Sequence, residues 1–64
     1  MRKIVGYDIA KNDYVGFKSI AEASKYVNKK HFYSDKAVYI SIYKCCNGII
    51  HSAYGYIWRY DDAV

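Results

Sequence analysis

Sixty-four residues allow one domain, residues 1–64, and a domain this short buries only about 60% of the surface its unfolded chain exposes. A net charge of +4 and a pI near 9.1 favour an acidic partner, nucleic acid first, while an apolar fraction of 53% argues against disorder. No apolar run approaches membrane-spanning length, and Met1-Arg2-Lys3 is not followed by a secretory apolar core, so neither a membrane nor export is expected.

Cys45 and Cys46 are adjacent, a spacing that does not meet disulfide geometry easily, and no C-x-x-C pair suggests zinc. Free thiols without a leader point to a reducing cytoplasm. With no covalent or metal staple, nine tyrosines, two phenylalanines and Trp58 must supply the core.

Lys3 to Ile9 reads as a strand on its β-formers Ile4, Val5, Tyr7 and Ile9. Lys11-Asn12-Asp13 is a turn cluster, and Tyr14 to Phe17 a second strand, giving a hairpin with a loop longer than two residues. Ser19-Ile20-Ala21-Glu22 is a capping box, in which Ser19 accepts the N–H of Glu22 and Glu22 reaches back to the N–H of Ser19. A helix follows through Val27, burying Ile20, Ala23 and Val27 with Ser24 beside them, and Asn28-Lys29-Lys30 ends it.

His31-Phe32-Tyr33 is a connector. Ser34-Asp35 starts a second helix, about Lys36 to Cys46, which Asn47-Gly48 stops. At 100° per residue, Val38, Tyr39, Ile42, Cys45 and Cys46 form one apolar arc, and Lys36, Ile40, Tyr43, Lys44 and Asn47 the opposite one. By propensity alone Ala37 to Tyr43 also suits a strand, but the cap before it and Asn-Gly after it favour a helix. Ile49 to Ser52 is a loop, Tyr56 to Tyr60 a last strand with Gly55 allowing close backbone approach, and Asp61 to Val64 a tail. The fold class is therefore α+β, in the order ββααβ: a small two- or three-stranded sheet with two helices in a helix-turn-helix-like arrangement.

Catalysis finds little support. His51 stands six residues after Cys45, but both cysteines fall on the core arc, where a thiol behaves as a small hydrophobe. The four glycines are isolated and make no phosphate loop, and the acids are scattered. No enzyme, cofactor or metal is expected. The second helix offers Lys36, Ser41, Tyr43, Lys44 and Asn47 for phosphates and base edges, with Lys29 and Lys30 flanking the backbone. The same pattern also describes an ordinary solvated helix face.

Four blocks add to this reading: Val5-Gly6-Tyr7-Asp8, Phe17-Lys18-Ser19-Ile20-Ala21-Glu22-Ala23, Ile42-Tyr43-Lys44-Cys45-Cys46-Asn47-Gly48 and Ala53-Tyr54-Gly55-Tyr56-Ile57-Trp58-Arg59-Tyr60. In this order, from about Val5 to Tyr60, they resemble the nuclease-associated modular DNA-binding domain, the intron-encoded nuclease repeat. The resemblance implies a homing-endonuclease-associated module, here standing alone, that binds double-stranded DNA through a helix-turn-helix, and it suggests a bacteriophage source. It also implies core roles for Phe17, Ile20, Ala23, Ile42 and Trp58, and a phosphate contact for Arg59.

Three positions depart from the family pattern. Ile49-Ile50-His51 stands where a basic run is usual, leaving His51 to meet DNA. Tyr54 stands where a small residue is usual, and the connector from Asn28 to Ser34 is longer than a tight turn. Ile49, Ile50 and Tyr54, with Tyr43, thus form a candidate protein interface, giving a second expectation of a phage protein that binds and modulates a host protein. A homodimer would also bury more apolar surface than so thin a domain does alone.

Overall fold

Alternation in Ile4–Asp8 builds the central strand of the sheet, β1, whose Ile4 and Gly6 turn inward. The computed structural model describes residues 2–31 and 33–63, without the side chains of Lys30, His31 and Ala63. β1 pairs antiparallel with β2, Asp13–Phe17, on one side and with β3, Tyr56–Tyr60, on the other. Between the outer strands in sequence come α1, Ile20–His31, and α2, Asp35–Cys46. The α+β class and the ββααβ order expected from the sequence are those observed, and the sheet has three strands.

The β1–β2 loop spans residues 9–12, and Asp8 organises it. Its carboxylate accepts from the N–H groups of Ala10 and Lys11 at 3.1 Å each, and its carbonyl accepts from Asn12 N–H at 2.8 Å. Asn12 takes φ 55°, a left-handed conformation that asparagine tolerates better than most residues.

At the start of α1, Ser19 Oγ accepts from Glu22 N–H at 3.2 Å, as expected. The Glu22 carboxylate, however, accepts from Lys18 N–H at 3.2 Å, one residue earlier than the capping-box reading has it. α1 also runs a full turn past Val27, so Asn28, Lys29 and Lys30 are its last turn rather than its end. Asn28 Nδ2 donates to the Asp35 carboxylate, tying the end of α1 to the start of α2. Only residues 32–34 join the helices, a connector of helix-turn-helix length rather than a long one. Phe32 lies outside the described residues.

Ser34 caps α2, accepting from Ala37 N–H at 3.5 Å. At the other end Ile49 N–H donates to Lys44 O at 2.9 Å and Gly48 N–H to Cys45 O at 3.1 Å, with Gly48 at φ 76°. This is the paired bonding of a Schellman stop, and it explains the glycine. A two-residue turn then leads into β3: Ala53 and Tyr56 exchange backbone hydrogen bonds of 2.9 and 3.1 Å around Tyr54, φ 56°, and Gly55, φ 80°. Both central residues must be left-handed in such a turn, so Gly55 serves backbone conformation and not close approach. An added Cβ there would meet nothing within 4 Å.

The helices cover one face of the sheet, and among the described residues Trp58, Ile4, Ile42, Val38 and Cys45 are the largest side chains fully enclosed. Trp58 stacks on Tyr56 with centroids 5.0 Å apart, and its Nε1–H donates to Ala53 O at 3.0 Å, so its polar edge is satisfied. Opposite Trp58, β1 carries Gly6. Ile20, Ala23, Ser24 and Val27 are buried as the periodicity predicts, and the Ser24 hydroxyl donates to Ile20 O at 2.8 Å. Tyr39 is a correction: expected on the apolar arc, it is 43% exposed, because it stands at the margin of that arc. Asp61–Ala63, expected as a tail, closes the fold with a 3₁₀ turn, and Arg2 bonds Asp62 at 2.8 Å.

Candidate nucleic-acid interface

α2 packs Val38, Ile42, Cys45 and Cys46 inward, which fixes the opposite side of the helix in solvent. Lys36, Ile40, Tyr43, Lys44 and Asn47 are all exposed there, as the helical periodicity predicts. Lys36 and Lys44 are eight residues apart, so about 12 Å separates them along the axis. Among the described residues the ion pair found is Arg2–Asp62, which leaves Lys29, Lys36 and Lys44 without carboxylate partners. Lys29 is exposed in the last turn of α1, beside the connector. The side chain of Lys30 lies outside the described residues.

The other expected contact residues are tied to the fold to differing degrees. Asn47 Nδ2 donates to Tyr43 O at 2.8 Å and to the Tyr60 hydroxyl at 3.0 Å, so this amide closes the end of α2 against β3. Arg59 is half-buried, and its Nη1 donates to Trp58 O at 2.8 Å and to Cys45 O at 3.4 Å. Its cation therefore sits at the negative pole of α2. Ser41 is half-buried and accepts from the Tyr54 hydroxyl at 3.5 Å.

No family model, curated protein or solved structure matches the chain. The charge distribution thus stands on its own. All six acidic residues lie at or before Asp35 or at and after Asp61, so Lys36 to Tyr60 holds Lys36, Lys44 and Arg59 and no carboxylate. This acid-free stretch is the electrostatic signal that residue-by-residue motif reading passes over.

Of the residues expected at a protein interface, Ile49 is 65% and Ile50 37% exposed. Tyr54 differs: its ring lies 5.3 Å from that of Tyr33 and is half-buried. Among the described residues no group of three or more metal-ligating side chains occurs, and no helix is long and apolar enough to cross a membrane.

Both cysteines are buried. Cys45 Sγ accepts from Trp58 N–H at 3.2 Å and donates to the backbone carbonyl of His51 at 3.4 Å, while the His51 side chain is exposed. Burial first, and then the neighbouring Cys45, push the Cys46 thiol up to about 11 from 9.0. The folded state therefore favours the protonated thiol. That contribution is complete below the unfolded value and is lost as pH rises from about 9 to about 11. Urea unfolding across this window is expected to show stability falling with pH, and falling less steeply in Cys46→Ala. Parallel profiles for the two proteins would contradict the assignment.

Proposed function

We propose that the chain is a small, non-catalytic DNA-binding module, cytoplasmic and phage-encoded, that contacts double-stranded DNA through α2 and its flanking lysines. The observation that carries this reading is the outer face of α2, where Lys36 and Lys44 stand exposed, with no carboxylate partner among the described residues and no carboxylate on the helix after Asp35. The two lysines stand about 12 Å apart along the axis, and their long, flexible side chains suit phosphates flanking a groove that admits a helix. Between them Ile40 and Tyr43 are 41% and 47% exposed and suit apolar base edges such as the thymine methyl. The short connector and the family-like blocks agree with this reading.

Anisotropy of a labelled random-sequence duplex, titrated at 50 and 200 mM salt, tests the reading. It predicts micromolar binding at the lower salt that weakens steeply at the higher, because counterions are released from each neutralised phosphate. Absence of binding at 50 mM would dispose of it.

A second reading rests on Ile49 and Ile50, which are exposed directly after α2 where the resembled family has cations. In it, this apolar pair docks a host protein that the module modulates. Ile50→Asp is then expected to abolish capture of that protein while leaving the melting temperature unchanged. Capture surviving in Ile50→Asp would remove the second reading.

A further inference from the structure

The helices cover only the face of the sheet that carries Trp58, and the strand registers identify the residues on the other face. Across it run Gly16, Val5 and Arg59 in one row and Tyr14, Tyr7 and Ile57 in the next. Tyr14 is 65% exposed, as much as any large apolar side chain described. Its ring lies 4.9 Å from that of Tyr7 across the strand pair, and the Tyr7 hydroxyl is held by the side chain of Asn12. A cross-strand tyrosine pair supports the sheet by itself, but that role needs neither such exposure nor the neighbouring glycine.

Gly16 supplies the second observation. Its φ is not positive, and an added Cβ would meet nothing within 4 Å. Gly6, by contrast, is demanded by Trp58. A glycine inside a strand weakens it, and where packing does not require one it marks room for the close approach of a ligand.

Charge supplies the third. Alternation turns Asp8 and Asp13 toward the helix side, in register with Tyr56. The outward positions carry Lys3 and Lys18 against Asp61, while the Arg59 guanidinium turns to the end of α2, and Lys3, Val5, Gly16, Lys18, Glu22 and Asp61 line an open groove at the end of the sheet away from the hairpin loop. Lys3 and Lys18 each lie four residues from a tyrosine along their strands, about 13 Å, a span of roughly two nucleotides of extended strand.

We infer that this uncovered sheet face binds single-stranded nucleic acid, stacking unpaired bases on Tyr14 and Tyr7 while Lys3 and Lys18 meet the phosphates. Stacking on an aromatic ring tolerates any base sequence, since every base has a π-face. The surface is distinct from that of α2, so the two readings stand or fall separately.

Anisotropy of labelled 12-residue oligo(dT) and oligo(U) tests the inference. Wild-type protein is expected to bind, Tyr14→Phe to bind as well, and Tyr14→Ser and Tyr14→Leu to bind about tenfold more weakly. The leucine variant keeps apolar area without a π-face, and circular dichroism melts confirm that each variant is folded. Preference for one oligomer identifies DNA or RNA as the strand bound. Wild type that holds oligo(dT) but no duplex would overturn the α2 reading alone. Failure to bind either oligomer, or equal affinities for wild type and Tyr14→Leu, would overturn the inference and leave the α2 reading in place.

Discussion

Trp58→Ala is expected to unfold a large fraction of the protein. The side chain is fully enclosed, lies against Phe17 and Tyr56, and donates both of its N–H groups inside the fold, to Cys45 Sγ and Ala53 O. Truncation of a buried tryptophan costs about 3–5 kcal/mol, against a total of about 3–10 kcal/mol for a domain of this size. A companion substitution tests the packing from the other side. A Cβ on Gly6 would lie 2.7 and 2.9 Å from Trp58 Cζ3 and Cε3, closer than real contacts allow, and the enclosed ring has no free direction of retreat. Gly6→Ala is expected to cost about 1–3 kcal/mol, lowering the melting temperature by roughly 5–20 °C. Trp58→Phe, with a smaller ring, should relieve part of that cost, so the double variant loses less than the sum of the single ones. Thermal melts followed by circular dichroism check both. Strict additivity would mean that Gly6 and Trp58 do not constrain each other.

Removing Lys36 and Lys44 together is expected to give the largest loss of DNA binding. Each lysine that neutralises a phosphate contributes about 0.9 to the slope of log affinity against log salt, so Lys36→Ala with Lys44→Ala should flatten the slope by about 1.8. Over a fourfold change in salt that is a factor of roughly 12. Lys11→Ala with Lys25→Ala removes the same charge from exposed positions off α2 and is the control. Phosphate contacts carry no sequence information, so the loss should be uniform across duplexes. Equal slopes for the two double variants would place the phosphate contacts away from α2.

Much of the fold was legible because its signals are local. Ser19 and Glu22 announce α1, Ser34 and Asp35 announce α2, and Asn47-Gly48 stops it; each acts within four residues. Asn28-Lys29-Lys30 looks like a terminus in sequence, whereas the fold anchors Asn28 to Asp35 and carries α1 on to His31. Tyr39 differs from its expected place because helical periodicity gives a residue's angle but not how wide a stripe its neighbours cover. Lys36 and Lys44 were legible as outward residues from the 3.6-residue repeat alone. The engagement of Asn47 by Tyr60 and of Arg59 by Cys45 was not, since β3 meets the end of α2 only in the folded chain. The tyrosine face of the sheet was hidden for a related reason: alternation defines two faces, and only packing decides which one the helices cover.

The most direct test of the central claim is a map of amide chemical shifts on adding a short random-sequence duplex to the isotopically labelled protein. The account predicts changes concentrated from Lys36 to Asn47 and at Lys29, with the β1–β2 hairpin unchanged. Changes confined to Ile49 through Tyr54, or to the sheet, with α2 unmoved would contradict it.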